Sequence, residues 1–429
     1  MNYKETINWL FSQLPMYQRI GKAAYKSDLQ TTIDLLEKLK NPQNSFKAIH
    51  IAGTNGKGSV SHIVASILQE AGYKIGLYTS PHLKDFRERI RLDGKLIPEE
   101  NVVSFVANNK AILEELKPSF FEMTVAMAYD YFATEDVDFA ILETGMGGRL
   151  DSTNICNSVI TAITNIGFDH TQFLGDTLEK IAVEKAGIFK QEVPIVIGKK
   201  QSEIKDIFLA KANLLKAPIT FVEDNVELKF LETTDNNNRY FDIWVENQML
   251  VEKAASPLLA TYQEENIATS IQIIMDLMLE GVHVSKEEIK DGLANLIKNT
   301  SLKGRWQIIS SNPLTICDTG HNTDGIKAVM QQIKQTPYKN LHFIFGMVND
   351  KEPDSILYLL PKNATYYFCK ADIPRGMDEE VLQEYAFKAG LNGKTYSSVR
   401  EAYHIAQNNA GLDDLIFIGG STFVVAEIV

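Results

Sequence analysis

One short segment limits the folds open to this chain more than any other. Ala48-Ile49-His50-Ile51-Ala52, an apolar run of strand length, leads into Gly53-Thr54-Asn55-Gly56-Lys57-Gly58-Ser59. Val60, Ile63, Val64, Ile67, Leu68 and Ala71 follow at helical spacing, closed by Gly72. A strand, a glycine turn and an amphipathic helix in that order open a βαβ unit, which demands a mostly parallel sheet with helices on both faces. The pattern then repeats. Lys74–Thr79, Val137–Glu143, Val159–Ile166 and Pro194–Ile197 read as further strands, with helices over Val102–Leu116 and Glu122–Thr134.

The stretch from Glu223 to Glu252 is more polar, with Asp235-Asn236-Asn237-Asn238 as a turn cluster, and reads as a peripheral β-rich excursion before helical character resumes near Glu264. Lys298 to Gly304 reads as a linker. A second α/β series follows, with strands at Leu314–Cys317, Leu341–Phe345, Thr365–Cys369 and Leu415–Ile418. The expected fold class is therefore α/β: a P-loop-type, mostly parallel sheet domain over residues 1–298, then a smaller Rossmann-like α/β domain over 299–429.

The glycine turn carries the strongest chemical signal. Glycines let backbone N–H groups converge on a phosphate, the helix N-terminus adds positive potential, Lys57 brings a point charge, and the Ser59 hydroxyl suits a phosphate-bound Mg²⁺. The general G-x-x-x-x-G-K-[ST] pattern wants Gly at 51 and Ser or Thr at 58, where this chain has Ile51 and Gly58, so the loop is a variant. Two further groups belong to the same sheet edge. Glu143 ends an apolar strand before Gly145, Gly147 and Gly148, and His170 follows the strand that runs to Ile166. Ligands of open α/β sheets sit at the carboxyl ends of strands, which favours these two as metal ligands over a surface carboxylate and a capping histidine.

Lys185 stands out for a different reason. Leu178, Ile181, Ala182, Ile188 and Phe189 define one apolar helical face, and Lys185 falls in its middle. Burial there disfavours the ammonium and exposes a neutral amine able to act as a base or combine with CO₂. Pairing with Glu184 or snorkelling to water is the competing reading. Asn266 near the start of a helix, Arg305 after the linker and Asp318 after the first strand of the second domain offer an amide, a guanidinium and a carboxylate for clamping a nucleotide where the two domains would face one another.

Composition narrows the partners. With 43 Lys and Arg against 55 Asp and Glu, the net charge is −12, which opposes a nucleic-acid backbone footprint. Three widely spaced cysteines without a C-x-x-C pair indicate neither a disulfide framework nor a zinc knuckle. The start of the chain lacks a signal pattern and no apolar run is long enough to span a bilayer, so a cytoplasmic protein without nucleic-acid or membrane partners is expected; a monomer is expected as well.

Taken in order, Gly53–Ser59, Thr79-Ser80-Pro81-His82-Leu83, Glu143–Asn154, Asp169-His170-Thr171 with Leu174-Gly175, Glu184–Ile188 and Asp318–Asn322 resemble the folylpolyglutamate synthase/dihydrofolate synthase family of Mur-ligase-like, ATP-dependent amide ligases. The likeness covers nearly the whole chain. It implies an ATP-binding central domain with an N-terminal folate loop, followed by a glutamate-ligase domain. The implied activity is transfer of L-glutamate to dihydropteroate or a reduced folate through an acyl phosphate, leaving ADP and phosphate. By the same resemblance, Gly53, Thr54, Asn55, Gly56, Lys57, Gly58 and Ser59 hold the ATP phosphates, and Asn266, Arg305 and Asp318 contact ATP. Ser59, Glu143 and His170 hold Mg²⁺. Lys57, His170 and Lys185 serve catalysis, Lys185 as a carbamylated lysine. Leu150, Asp151 and Ser152 line the pterin pocket, and Leu14–Arg19 belongs to the folate loop. Two positions depart from the common pattern: Tyr262 where many members carry His, and Ser152 where many carry Ala.

Two rivals are weighed against this reading. A Mur-type cell-wall amino acid ligase would share the loop and metal site, but would carry a further N-terminal domain for which about 47 residues are too few. A P-loop nucleotide switch would turn over nucleotide without forming an amide, and the second domain argues against it.

Overall fold

The computed structural model describes residues 1–14, 28–231, 237–349 and 352–429. The chain divides into two units, the first running to Leu302 and the second from Lys303 to Val429.

In the first unit, strands β1 (Lys47–Ala52), β2 (Ile75–Tyr78), β3 (Ile90–Leu92), β4 (Lys95–Leu96), β5 (Phe139–Glu143), β6 (Ser158–Ile163), β7 (Ile195–Ile197) and β8 (Ile219–Phe221) form one sheet. Its order is β4-β3-β2-β5-β1-β6-β7-β8. The pairs are parallel except at one edge, where the β3–β4 hairpin runs antiparallel to β2. β1 lies between β5 and β6, pairing Ile51 with Glu143 and Ala52 with Ile163, so the carboxyl ends of all three strands finish side by side.

Side chains alternate across these strands. Ile49 and Ile51 enter one apolar cluster with Val60, Ile63, Val64 and Ile67 of the Lys57–Glu70 helix and Ile267, Ile271 and Ile274 of the Gln263–Leu279 helix. Ala48, Ala140 and Leu142 enter a second cluster with the Phe120–Thr134 helix. Both faces are thus covered, which explains why the strands read as nearly continuous apolar runs. Complete burial of each Ile or Val contributes roughly 1.5–3 kcal/mol, and the Lys57–Glu70 helix is buried from Gly58 through Leu68, so the helix carrying the glycine loop is among the most firmly held elements.

The β-rich excursion is a three-stranded antiparallel sheet, β9 (Val226–Leu231), β10 (Arg239–Val245) and β11 (Gln248–Ser256). Positive φ at Glu246 and Asn247 makes the two-residue turn whose twist suits a hairpin. Phe241, Ile243, Val251 and Ala254 bury its inner face against the first cluster. Residues 235 and 236 of the turn cluster read at Asp235–Asn238 lie outside the described residues.

Where a linker was expected from 298 to 304, a helix spans Leu296–Thr300. Leu296 and Leu302 are buried in the first unit's core, and that burial carries the first unit past 298 as far as Leu302. In the second unit, β12 (Gln307–Ser311), β13 (Leu314–Cys317), β14 (Leu341–Phe345), β15 (Thr365–Cys369), β16 (Gly393–Tyr396) and β17 (Leu415–Gly419) order as β12-β13-β17-β14-β15-β16. Only β12 is antiparallel to its neighbour. Cys156, Cys317 and Cys369 are buried free thiols, each pushed up in pKa by burial, which leaves them unreactive. Among the described residues no helix is long and apolar enough to cross a membrane.

Candidate active site

The loop between β1 and the Lys57–Glu70 helix needs its glycines. Gly53 and Gly56 have φ of +146° and +86°, a region L side chains avoid. A Cβ at Gly53 would collide with Thr164 Oγ1, and one at Gly56 with Asn266 Oδ1. The chain leaving β6 pins this loop. Asn55 N–H donates to Asn165 Oδ1 (3.0 Å), Asn165 Nδ2 and Thr164 Oγ1 donate to the Asn55 carbonyl (3.1 and 2.6 Å), and Gly167 N–H donates to Thr54 Oγ1 (2.9 Å). Thr164 and Asn165 were not singled out in the sequence; the available signal was their place at the end of the strand beside the loop.

Two lysines converge on one carbonyl inside it. Lys57 Nζ donates to Gly53 O (3.0 Å) and Thr54 O (3.1 Å), and Lys185 Nζ donates to Gly53 O at 2.7 Å. Lys185 is only 4% exposed, so it does not snorkel, and Glu184 bonds Arg149 instead (Nη2 to Oε1, 2.9 Å). Both competing readings of Lys185 are thereby removed. Burial, and secondarily the Lys57 charge, pushes its amine down to about 7, so an appreciable neutral fraction exists at physiological pH. The helix itself ends at Lys185, and Ile188 lies in the tighter turn Ala186–Ile188.

Ser59 sits in the first turn of the helix, 1% exposed, and its hydroxyl has no partner among the described residues. An unsatisfied buried hydroxyl costs about 1–3 kcal/mol, a cost that a ligand for that oxygen would remove. Glu143 is buried at the end of β5, where Oε2 accepts from Ser80 N–H at 3.0 Å. His170 stands in the left-handed region (φ 50°) ahead of the Thr171–Leu174 helix, its N–H donating to Asp169 Oδ1 at 2.9 Å. Strand register therefore brings Glu143 and the exit of β6 to the edge that carries the loop, with His170 farther along that exit. Among the described residues no group of three or more His, Cys, Asp and Glu gathers to hold a metal. The donor set read here has just two such residues and a hydroxyl. That suits a hard cation whose remaining ligands are phosphate and water oxygens, and does not suit an all-protein cage.

Beyond Glu143 the glycine turn closes on Asp151. This buried carboxylate accepts from Met146 N–H (2.9 Å), Thr153 N–H (3.0 Å) and Thr153 Oγ1 (2.6 Å), while burial pushes its pKa above the usual carboxylate range. Ser152 Oγ accepts from Thr32 Oγ1 (3.2 Å), and Leu150 is half-buried. Asn266 lies in the first turn of the Gln263–Leu279 helix, which Tyr262 opens, directly against Gly56. Within the second unit, Asp318 accepts from Trp306 N–H (2.7 Å) and Gly320 N–H (2.8 Å), and Arg305 bonds Thr319 Oγ1. Positions 15–19 of the expected folate loop lie outside the described residues.

Comparison with known proteins agrees with this layout. The Mur ligase middle domain matches residues 51–274, and the Mur ligase glutamate ligase domain residues 304–422. The dihydrofolate synthase/folylpolyglutamate synthase of Bacillus subtilis is 31% identical over 437 residues, covering 99% of this chain and 98% of that one. The chain belongs to the folylpolyglutamate synthase/dihydrofolate synthase family. Family members vary in length: a Haloferax volcanii relative named as a probable bifunctional folylpolyglutamate synthase/dihydropteroate synthase is 32% identical over 435 residues, and the chain spans only 50% of it. Among solved structures of the family, Escherichia coli FolC in complex with DHPP and ADP superposes with a TM-score of 0.85 at 30% identity, covering 100% of this chain and 97% of that one.

Proposed function

We infer that this chain is an ATP-dependent ligase that joins L-glutamate to dihydropteroate, to a reduced folate, or to both. The acceptor carboxylate attacks the γ-phosphate of ATP to give an acyl phosphate and ADP. The glutamate amine then displaces phosphate and leaves an amide. The observation that carries this reading is the loop itself: a glycine turn at the end of β1 whose buried Ser59 hydroxyl has no partner among the described residues, and on whose Gly53 carbonyl Lys57 and Lys185 both rest. Likeness along the whole chain to family members, one of them solved with ADP and DHPP, supports it.

The assigned roles are those that the family resemblance implies, and the geometry within each unit supports them. N–H groups of Gly53–Ser59 and the Lys57 ammonium meet the phosphates, with Asn266, Arg305 and Asp318 as further ATP contacts. Ser59, Glu143 and His170 would hold Mg²⁺, which when bound neutralises phosphate charge. Lys185 reacts as its neutral amine: the nitrogen lone pair bonds to the carbon of CO₂, the amine proton leaves to solvent, and the buried cation becomes a carbamate anion. Leu150, Asp151 and Ser152 form the pterin-facing segment. Catalysis is positioning and electrostatics, since ATP supplies the activation that an enzymic nucleophile would otherwise provide.

The test offers Mg-ATP and labelled glutamate with dihydropteroate and tetrahydrofolate in separate reactions. Label entering either product is expected, and label in both establishes bifunctionality. Phosphate release with label in neither would overturn the reading in favour of a nucleotide switch.

A further inference from the structure

We propose that His50 is a positioning residue for the pterin-bearing substrate: its Nε2–H holds the Thr153 hydroxyl, and through it Asp151, in the orientation that shapes the Leu150–Ser152 turn. The inference rests on the reading of Leu150–Ser152 as the pterin-facing segment. His50 belongs to β1, three residues before the phosphate loop, and is wholly buried. By alternation along the strand it shares the face of Ala48, towards the layer of the Phe120–Thr134 helix, with Leu142 and Thr161 as its register neighbours.

Counting protons along the network fixes its direction. Thr153 has one hydroxyl proton, and that proton goes to Asp151 Oδ1 at 2.6 Å. The 2.8 Å contact between Thr153 Oγ1 and His50 Nε2 must then be donated by the imidazole. Nδ1 is left as a lone pair, and none of the described residues donates to it, which that tautomer permits. Burial, with the Lys190 charge adding to it, pushes the His50 pKa down to about 3, so the ring stays neutral throughout the working range. Thr153 is clamped from the other side as well, because Tyr129 Oη donates to its carbonyl at 2.7 Å. Asp151 in turn holds Met146 N–H, closing the turn that starts at Glu143. An apolar residue would fill the space of His50 at lower desolvation cost. Its retention of a single directed N–H makes sense if the turn's geometry, and not the core's packing alone, depends on it.

The variants are His50→Leu, which removes the donor, His50→Gln, which returns an amide N–H near the Nε2 position, and Thr153→Val, which breaks the bridge at constant shape. Loss of one neutral hydrogen bond corresponds to roughly a tenfold weakening. His50→Leu and Thr153→Val are expected to raise KM for tetrahydrofolate or dihydropteroate about tenfold, with KM for ATP within about twofold of the parent. His50→Gln should recover most of the loss, and the double variant should be no worse than either single one. Equal rises in both KM values, or a lowered Tm with unchanged KM, would overturn the proposal by reducing His50 to a packing residue. Ring ¹⁵N spectra of the whole enzyme give an independent reading that needs no turnover. A neutral Nε2–H tautomer from pH 5 to 8, altered by Thr153→Val, is expected, and an Nδ1–H tautomer would refute it. An enzyme that ligates neither substrate would instead remove the functional reading on which the proposal stands.

Discussion

Replacing Lys185 separates three jobs a buried lysine can have: fixed cation, neutral base or carbamate. Its Nζ donates to Gly53 O at 2.7 Å and its pKa falls from 10.5 to about 7. At pH 7.5 about three-quarters of such an amine is neutral, against roughly one part in a thousand for an ordinary lysine. The structure thus raises the reactive fraction by nearly three orders of magnitude. Lys185→Arg keeps a permanent charge, Lys185→Ala keeps neither charge nor nucleophile, and both are expected to lose about a hundredfold or more in kcat/KM. Short carboxylates should partly rescue Lys185→Ala alone, by standing in for the carbamate. In the parent enzyme, activity should rise with pH through about 7, and ¹³C-bicarbonate should give a carbamate resonance absent from both variants. Stability carries the same signature. The folded amine gives up its proton near 7 and the unfolded one near 10.5, so the unfolded chain binds more protons between those values and stability rises with pH across that window. The full penalty, roughly 5 kcal/mol, is present below pH 7. Lys185→Met should therefore raise Tm more at pH 6 than at pH 9. An active Lys185→Arg enzyme, or an unchanged Lys185→Ala enzyme, would sink the reasoning.

Three further outcomes are expected. Gly56→Ala adds a Cβ at φ +86° that collides with Asn266 Oδ1, so about 2–4 kcal/mol of stability should be lost in denaturant titrations and KM for ATP should rise at least tenfold. Ser59→Ala removes a buried hydroxyl that has no partner among the described residues, so thermal unfolding should show unchanged or higher stability by up to about 2 kcal/mol, while the Mg²⁺ needed for half-maximal activity climbs steeply; a marked loss of Tm would contradict the assignment. His50 titrates near 3 when folded and near 6.5 when unfolded, so the unfolded chain binds more protons in that interval and stability falls as pH drops through it. Unfolding free energies from urea titrations should show the parent losing stability relative to His50→Gln as pH falls from about 6.5 to about 3, by an amount approaching roughly 5 kcal/mol.

Legibility along this chain followed burial on both faces. β1, β5 and β6 are buried from end to end or nearly so, and such strands announce themselves as apolar runs bounded by glycine or polar turns. β12 and β16 are sheet edges with mixed exposure, and β3 and β4 total a few residues around a Gly94 turn, so none has an apolar run long enough to read. The glycine loop was legible because φ above zero and close approach both demand glycine, a requirement written into residue type. What pins it was not. Thr164 and Asn165 look like any strand-end polar pair, and their role arises from β6 lying beside β1, a pairing remote in sequence. His50 was readable as a strand residue, but its hydrogen bond spans 103 positions to Thr153 and depends on how the Asp151 turn folds back.

The shared carbonyl of Gly53 shows why a chain of net charge −12 can hold a triphosphate only with help. Two cations on one backbone oxygen repel each other, and burial falls on Lys185, whose amine gives way. The loop is left with one ammonium, that of Lys57, plus its N–H dipoles, against a ligand carrying about four negative charges. The proposed conversion of Lys185 to a carbamate would deepen that deficit by a further unit, and positive charge would then have to come from outside the protein. Ser59, Glu143 and His170 supply one hydroxyl, one carboxylate and one imidazole, a set too poor to trap a divalent ion by itself. Metal and nucleotide should then bind cooperatively. Calorimetry is expected to show weak Mg²⁺ binding to the enzyme alone and strong binding with ATP present, whereas tight binding of the metal without nucleotide would mean that the protein supplies more ligands than these three.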